Sequence, residues 1–196
     1  MDWNTIKANG QIEVDSHSYD LSHLEDARYH FTIPGNKTND ELKCELLVQY
    51  SSHCVSWGPK KNTAIDFSEH GEDRCVIDDK GIHRCFCDKR YQLSKSLPDI
   101  FATFDTRSCL FTGFDNWMTI DIQDPSGQRI DYEIYFNLTR QSSTLLRVYV
   151  ESAYTRDKED INKRPKASRR KDKVRAKVLM AKKLRGESIR RPNNRR

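Results

Sequence analysis

Apolar and polar residues alternate over three consecutive stretches in the second half of the chain. Trp117, Thr119 and Asp121 alternate with Met118, Ile120 and Ile122, and Asp124-Pro125-Ser126-Gly127 then supplies a turn. Ile130, Tyr132, Ile134 and Phe136 alternate with Asp131, Glu133, Tyr135 and Asn137. Beyond Gln141-Ser142-Ser143, Leu146, Val148 and Val150 alternate with Arg147, Tyr149 and Glu151. A period of two over this span predicts an antiparallel meander of strands at 117–123, 129–138 and 145–153 with one buried face.

The flanking patterns are more varied. Tyr29 to Ile33, closed by Pro34-Gly35, reads as a strand, and so does Glu45 to Tyr50, where Leu46, Val48 and Tyr50 share a face. A helix over Asp40 to Gln49, capped by Asn39, is the alternative for the second. Between Asp88 and Phe104, Tyr91, Leu93, Leu97, Ile100, Phe101 and Phe104 fall at three- and four-residue spacing, which predicts a helix that Pro98 kinks or divides. Residues 1–27 are polar and weakly patterned and read as a flexible lead-in, and Ser56 to Arg84 reads as loop. Lys173 to Met180 fits both periods. Val174, Ala176, Val178 and Met180 alternate as on a strand, whereas Val174, Val178, Ala181 and Arg185 form only a thin helical stripe, so a strand paired with the meander is expected. The fold class expected is α+β: an antiparallel sheet of five or six strands, one principal helix near 88–104 and a basic C-terminal extension. A single domain spans 28–181, with a linker at 157–172 and a disordered basic tail at 182–196.

Charge changes this picture. Residues 156–196 hold 18 Lys and Arg against five Asp and Glu, a net of +13, while the preceding 155 residues carry −8. An acidic body with a basic segment points to a polyanionic partner. The doublets Arg169-Arg170-Lys171, Lys182-Lys183 and Arg190-Arg191 have the spacing to follow a phosphate backbone and release counterions. The alternatives are a solubilising tail and an intramolecular contact with the acidic body. No apolar run reaches the length of about 18 residues that spans a bilayer, and the first ten residues lack a secretory pattern. A cytoplasmic protein without a membrane partner is expected, its six cysteines thiols or ligands rather than disulfides.

Three segments carry a resemblance. His53-Cys54, the run Arg84 to Pro98 (RCFCDKRYQLSKSLP), and Tyr132 to Phe136 together with Glu151 to Asp157 resemble a small bacterial family sometimes described as stationary-phase growth adaptation proteins. The likeness spans roughly residues 29 to 190 and implies no established chemistry. The chain departs from the family's pattern at Ala181-Lys182-Lys183-Leu184. A looser likeness is one of topology, since a meander with aromatic and basic residues on its open face beside a helix is similar to RelE-like and BrnT-like ribonuclease toxins.

The candidate chemistry divides three ways. Metal-free RNA cleavage needs a base, an acid and a cation, roles that His53, Tyr91, Arg90 and Arg156 can fill; the alternative is ordinary strand-end residues. Arg84, Lys89 and Arg90 are candidates for gripping phosphates while Tyr91, Phe86 or Tyr154 stack on bases. Cys75, His83, Cys85 and Cys87 are a candidate zinc set, although the one-residue gap in Cys85-Phe86-Cys87 is irregular for zinc. Cys85 and Cys87 are also a candidate redox pair, their thiol pKa lowered by Arg84, Lys89 and Arg90. The leading expectation is a nucleic-acid-interacting, RNA-directed protein with a toxin-like ribonuclease activity and no cofactor. The alternatives are a non-enzymatic stress or growth-adaptation module that binds protein or ribosome, and a cysteine-based zinc or redox sensor.

Overall fold

The computed structural model describes residues 1–35, 38–60, 63–113, 116–123, 129–155, 173–187 and 189. The fold is α+β, as the periodicity implies, and is organised around a seven-stranded sheet. Its elements in chain order are α1 (Trp3–Asn9), β1 (Gln11–Val14), β2 (His17–Asp20), β3 (Ala27–Ile33), β4 (Leu42–Tyr50), β5 (Ser56–Trp57), α2 (Phe67–His70), β6 (Cys75–Ile77), β7 (His83–Phe86), α3 (Asp88–Ser94), α4 (Leu97–Ala102), β8 (Ser108–Gly113), β9 (Asn116–Gln123), β10 (Arg129–Arg140), β11 (Leu145–Thr155), β12 (Lys173–Arg175) and α5 (Ala176–Arg185).

The meander is β9, β10 and β11, with Leu146, Val148 and Val150 fully buried on one face and Tyr132, Ile134, Phe136 and Leu138 buried opposite them. Sheet order is β12-β8-β9-β10-β11-β4-β3, antiparallel throughout except for the β4–β11 pair, which runs parallel from Glu45↔Leu145 to Tyr50↔Val150. The helical alternative for 40–49 therefore fails: Cys44, Leu46, Val48 and Tyr50 are all buried at a spacing of two. The segment 88–104 forms two helices, with Pro98 in the first turn of the second. Phe101, Phe104 and Phe136 meet with ring centroids 5.4–6.4 Å apart and join the helices to the sheet.

Four expectations are corrected. Residues 1–27 are packed, not a flexible lead-in: Trp3 and Ile6 are 2% and 0% exposed, and Trp3 Nε1 donates to Tyr50 O at 3.2 Å. Each such side chain contributes about 1.5–3 kcal/mol on burial, enough to hold a short helix and hairpin to the body. The segment 56–84 is not all loop, for β5, β7 and β6 make a separate three-stranded sheet in that order. Lys173 to Met180 is a strand only to Arg175, where β12 pairs antiparallel with β8, and then turns into α5. The disordered tail expected from 182 consequently begins too early, since Lys182 to Arg185 complete α5. That helix ends at Gly186 (φ 70°), with Gly186 N bonded to Lys183 O and Glu187 N to Lys182 O, the paired closure of a Schellman motif. The linker expected at 157–172 lies outside the described residues.

Candidate functional site

A cleft of about 390 Å³ opens where the end of β4, the β6–β7 hairpin and the polar faces of β10 and β11 meet. The chain leaving β4 enters a tight 3-10 turn, Ser52–Cys54, and Ser51 fixes it. Ser51 Oγ accepts from His53 N at 3.2 Å and donates to Glu151 O at 2.7 Å, so the turn is tied to β11 and His53 is held at the cleft wall. The opposite wall is the turn of the β6–β7 hairpin. Asp78 Oδ1 accepts from Lys80 N and Ile82 N, both at 2.9 Å, an Asx-type closure that leaves Oδ2 facing His53 Nε2 at 3.4 Å.

Arg84 lies buried behind this pair. Its Nε donates to Ser56 Oγ at 3.0 Å and its Nη1 stands 3.9 Å from Asp78 Oδ2, and Gly58 packs so closely that a Cβ there would come within 2.6 Å of the same Nη1. Burial, with Arg84 adding like-charge repulsion, holds the His53 imidazole below the ordinary histidine value despite Asp78. Burial and the neighbouring Arg90 bring the Arg84 guanidinium down to about 10. A neutral His53 that donates from Nε2 to Asp78 keeps a lone pair on Nδ1, the arrangement of a proton acceptor.

The third wall is aromatic. Tyr135 and Tyr154 stack with centroids 5.7 Å apart at 14°, and Arg90 lies 4.9 Å over the Tyr154 ring. Tyr149 donates to Asp79 Oδ2 at 2.9 Å. Ser52 is buried in the lining, and its Oγ has no hydrogen-bond partner among the described residues. Three carboxylates, Asp78, Asp79 and Glu151, are balanced by Lys80 in the lining and by Arg84 and Arg90 behind it. Burial raises the Glu151 carboxyl above its ordinary value.

Of the described members of the expected catalytic set, only His53 reaches the cleft lining. Arg90 Nη1 instead donates to His53 O at 2.9 Å and Ser56 O at 2.7 Å, bracing the turn beneath it. Tyr91 is corrected outright: it is 6% exposed, with its ring edge-on to Tyr19 at 5.0 Å, because α3 turns it into the core. Arg156, Arg169, Arg170, Lys171, Arg190 and Arg191 lie outside the described residues. Among the expected phosphate contacts, Arg84 is corrected by its burial, Lys89 is exposed on α3, and Lys182 and Lys183 sit half-buried in the last turn of α5, where their charge complements the helix dipole.

The zinc set does not form. Among the described residues no three His, Cys, Asp or Glu side chains make a metal-holding group. His83 pairs with Ile77 at the exposed end of β7 and lies against the Phe67 ring, while Cys85 is buried further along the strand. The expected lowering of the Cys85 thiol is also reversed, because burial outweighs the nearby Arg74 and pushes it up.

Asp78, Asp79, Lys80, Tyr149 and Glu151 belong to the lining and were not singled out by sequence. Asp78, Asp79 and Lys80 fell within the stretch read as loop, and Tyr149 and Glu151 on the polar side of a meander strand.

The fold and site define an α+β protein with a polar, tyrosine-walled cleft beside a mixed sheet. The chain belongs to the YjaZ family, which it matches over residues 11–184. This agrees with the small bacterial family expected from the motifs. No curated protein and no solved structure matches the chain, so the RelE-like and BrnT-like likeness remains an analogy of topology. No helix among the described residues is long and apolar enough to cross a membrane.

Proposed function

We propose that the chain is a cytoplasmic, RNA-directed nucleic-acid-binding protein that seats an unstacked base in the cleft while the basic segment contacts phosphates. The observation that carries this reading is the lining itself. Tyr135, Tyr149 and Tyr154 stand beside both hydrogen-bond donors and acceptors in about 390 Å³, within the range of about 300–1,000 Å³ typical of small-molecule sites. The lining, with Asp78, Asp79 and Glu151 against Lys80, disfavours a bare phosphate and suits a base, whose edge offers donors and acceptors together and whose faces are apolar. Tyr154 precedes by two residues the segment that carries +13, so base and backbone contacts adjoin along the chain. The motif resemblance, rather than the cleft, suggests a role in stationary-phase growth adaptation.

A second reading, RNA cleavage, is favoured by one observation, the neutral His53 held by Asp78. Lys80, in place of Tyr91 and Arg90, is then the exposed cation in the lining. One experiment separates the two. Single-stranded RNA is incubated with the protein, cross-linked by ultraviolet light, and both partners are analysed. Binding predicts adducts on peptides carrying Tyr135, Tyr149 or Tyr154, with the RNA intact. Shortened RNA that becomes full length again in folded His53→Ala assigns cleavage instead, and adducts confined to residues 156–196 contradict the cleft.

A further inference from the structure

The three-stranded sheet holds a pair of thiols that the cleft does not use. Cys75 of β6 and Cys85 of β7 are register partners. An antiparallel ladder alternates hydrogen-bonded pairs with non-hydrogen-bonded pairs, and the second kind brings opposed Cα atoms to about 4.5 Å. Main-chain bonds assign Cys75–Cys85 to the second kind. Cys75 O accepts from Met1 N at 3.0 Å and Ile77 N donates to Met1 O at 2.9 Å, so both turn their backbone polar groups away from β7. On the far side Cys87 N donates to Val55 O at 2.8 Å, and by the alternation of two Cys85 also faces β5 with its backbone.

The side chains of an opposed pair leave the same face of the ladder. A Cα separation of about 4.5 Å lies inside the range of about 4.4–6.8 Å in which a disulfide closes without backbone movement. Cys87 is the poorer partner for Cys85, since residues two apart on an extended chain are separated by roughly 6.6 Å or more. Cys75 is half-buried and Cys85 is 3% exposed, which sets the order of attack.

We propose that Cys75 and Cys85 are a redox modification site that closes a reversible disulfide across the β6–β7 hairpin in response to a peroxide. The Cys75 thiolate attacks one peroxide oxygen, the O–O bond breaks, and the departing hydroxide takes a proton to become water, leaving a sulfenic acid. The Cys85 sulfur then attacks the Cys75 sulfur, the S–O bond breaks, and the hydroxide leaves with the Cys85 proton as a second water. The two thiols lose two electrons and two protons in all, and a dithiol reductant restores them. Asp78, Asp79 and Lys80 form the turn of this hairpin, so the bond braces one wall of the cleft. The thiol pair is independent of what the cleft binds.

The test treats the full chain with hydrogen peroxide, alkylates the remaining thiols and maps tryptic peptides by mass. The expected product joins the peptide of Cys75 to that of Cys85, lighter by two hydrogens than their sum and separated by dithiothreitol. The link persists in Cys87→Ser and is lost in Cys75→Ser and Cys85→Ser. A link that survives in Cys85→Ser, or that disappears in Cys87→Ser with native circular dichroism, overturns the assignment, as does oxidation of Cys75 to its sulfinic acid with no link formed.

Discussion

At His53 two effects oppose each other. Asp78 favours the imidazolium, while burial and the Arg84 guanidinium disfavour it, and the second pair wins. His23, bonded to Ser94 Oγ at 2.7 Å beside the Tyr91 ring, is lowered by the same burial. A histidine whose folded value lies below its unfolded one binds protons more weakly in the folded state. Its stability contribution is therefore present above the unfolded pKa of about 6.5 and is lost as pH falls through the folded value. Asp78, whose carboxyl is lowered by hydrogen bonds from Ile82 N and Lys80 N against the cost of burial, loses its contribution only at still lower pH. Urea unfolding between pH 8 and pH 5 is expected to show stability falling on the acid side of about 6.5. His53→Gln should flatten part of that fall, and an unchanged slope in the variant would place the proton uptake elsewhere.

Among the elements, α5 separates helical from extended reading most sharply. A strand over 173–180 would bury Val174, Ala176, Val178 and Met180 together. In the helix Ala176, Leu179, Met180 and Leu184 are buried, and Val178 is 41% exposed. Met180 Sδ reaches Cys44 Sγ of β4 at 4.0 Å, so this face packs on the sheet. Leu179→Ala should cost about 2–5 kcal/mol by cavity formation. Val178→Ala should change stability by no more than about 0.5 kcal/mol. Chemical denaturation of both variants checks this, and the reverse ranking would restore the strand.

The alternation at 173–180 was present in the sequence but decided nothing, because eight residues can satisfy both periods; of the deciding contacts, Leu179 lies on the side shared with Lys173, Arg175 and Lys177, and Leu184 lies beyond the stretch. The meander was legible because the alternation recurs in three successive stretches set apart by turn residues, and Tyr132, Ile134, Phe136 and Leu138 with Leu146, Val148 and Val150 are the apolar positions it buries. The β1–β2 hairpin was not. Its turn is Asp15-Ser16, with φ of 50° and 62°, where a Gly or Asn-Gly signal is usual. Arg74 pairs with Asp15 and Asp88, and Asp15 N donates to Asp73 Oδ2, so long-range contacts hold a turn that local sequence does not announce. His53 was legible as a strand-end side chain. Asp78 was not, because its partner lies 25 residues away across β5, α2 and β6.

For the whole molecule the central question is whether the cleft and the basic segment act on one ligand. Removing residues 157–196 cannot answer it, because Ala176, Leu179, Met180 and Leu184 would leave the core with the charge. Neutralising Arg169, Arg170, Lys171, Arg190 and Arg191 to Gln leaves those apolar residues in place. Phosphate contacts and base contacts then differ in their response to salt. Each phosphate neutralised on a single strand contributes about 0.7 to the slope of log affinity against log salt, whereas loss of a stacked base costs about 1–3 kcal/mol with no change in slope. The most direct measurement is fluorescence anisotropy of a labelled single-stranded RNA titrated across a salt series with the wild type, the five-site Gln variant and Tyr149→Ala. The proposed function predicts saturable binding, a shallower salt slope in the Gln variant, and weaker binding at unchanged slope in Tyr149→Ala. Absence of saturable binding at low salt, or two variants indistinguishable from wild type, would contradict it.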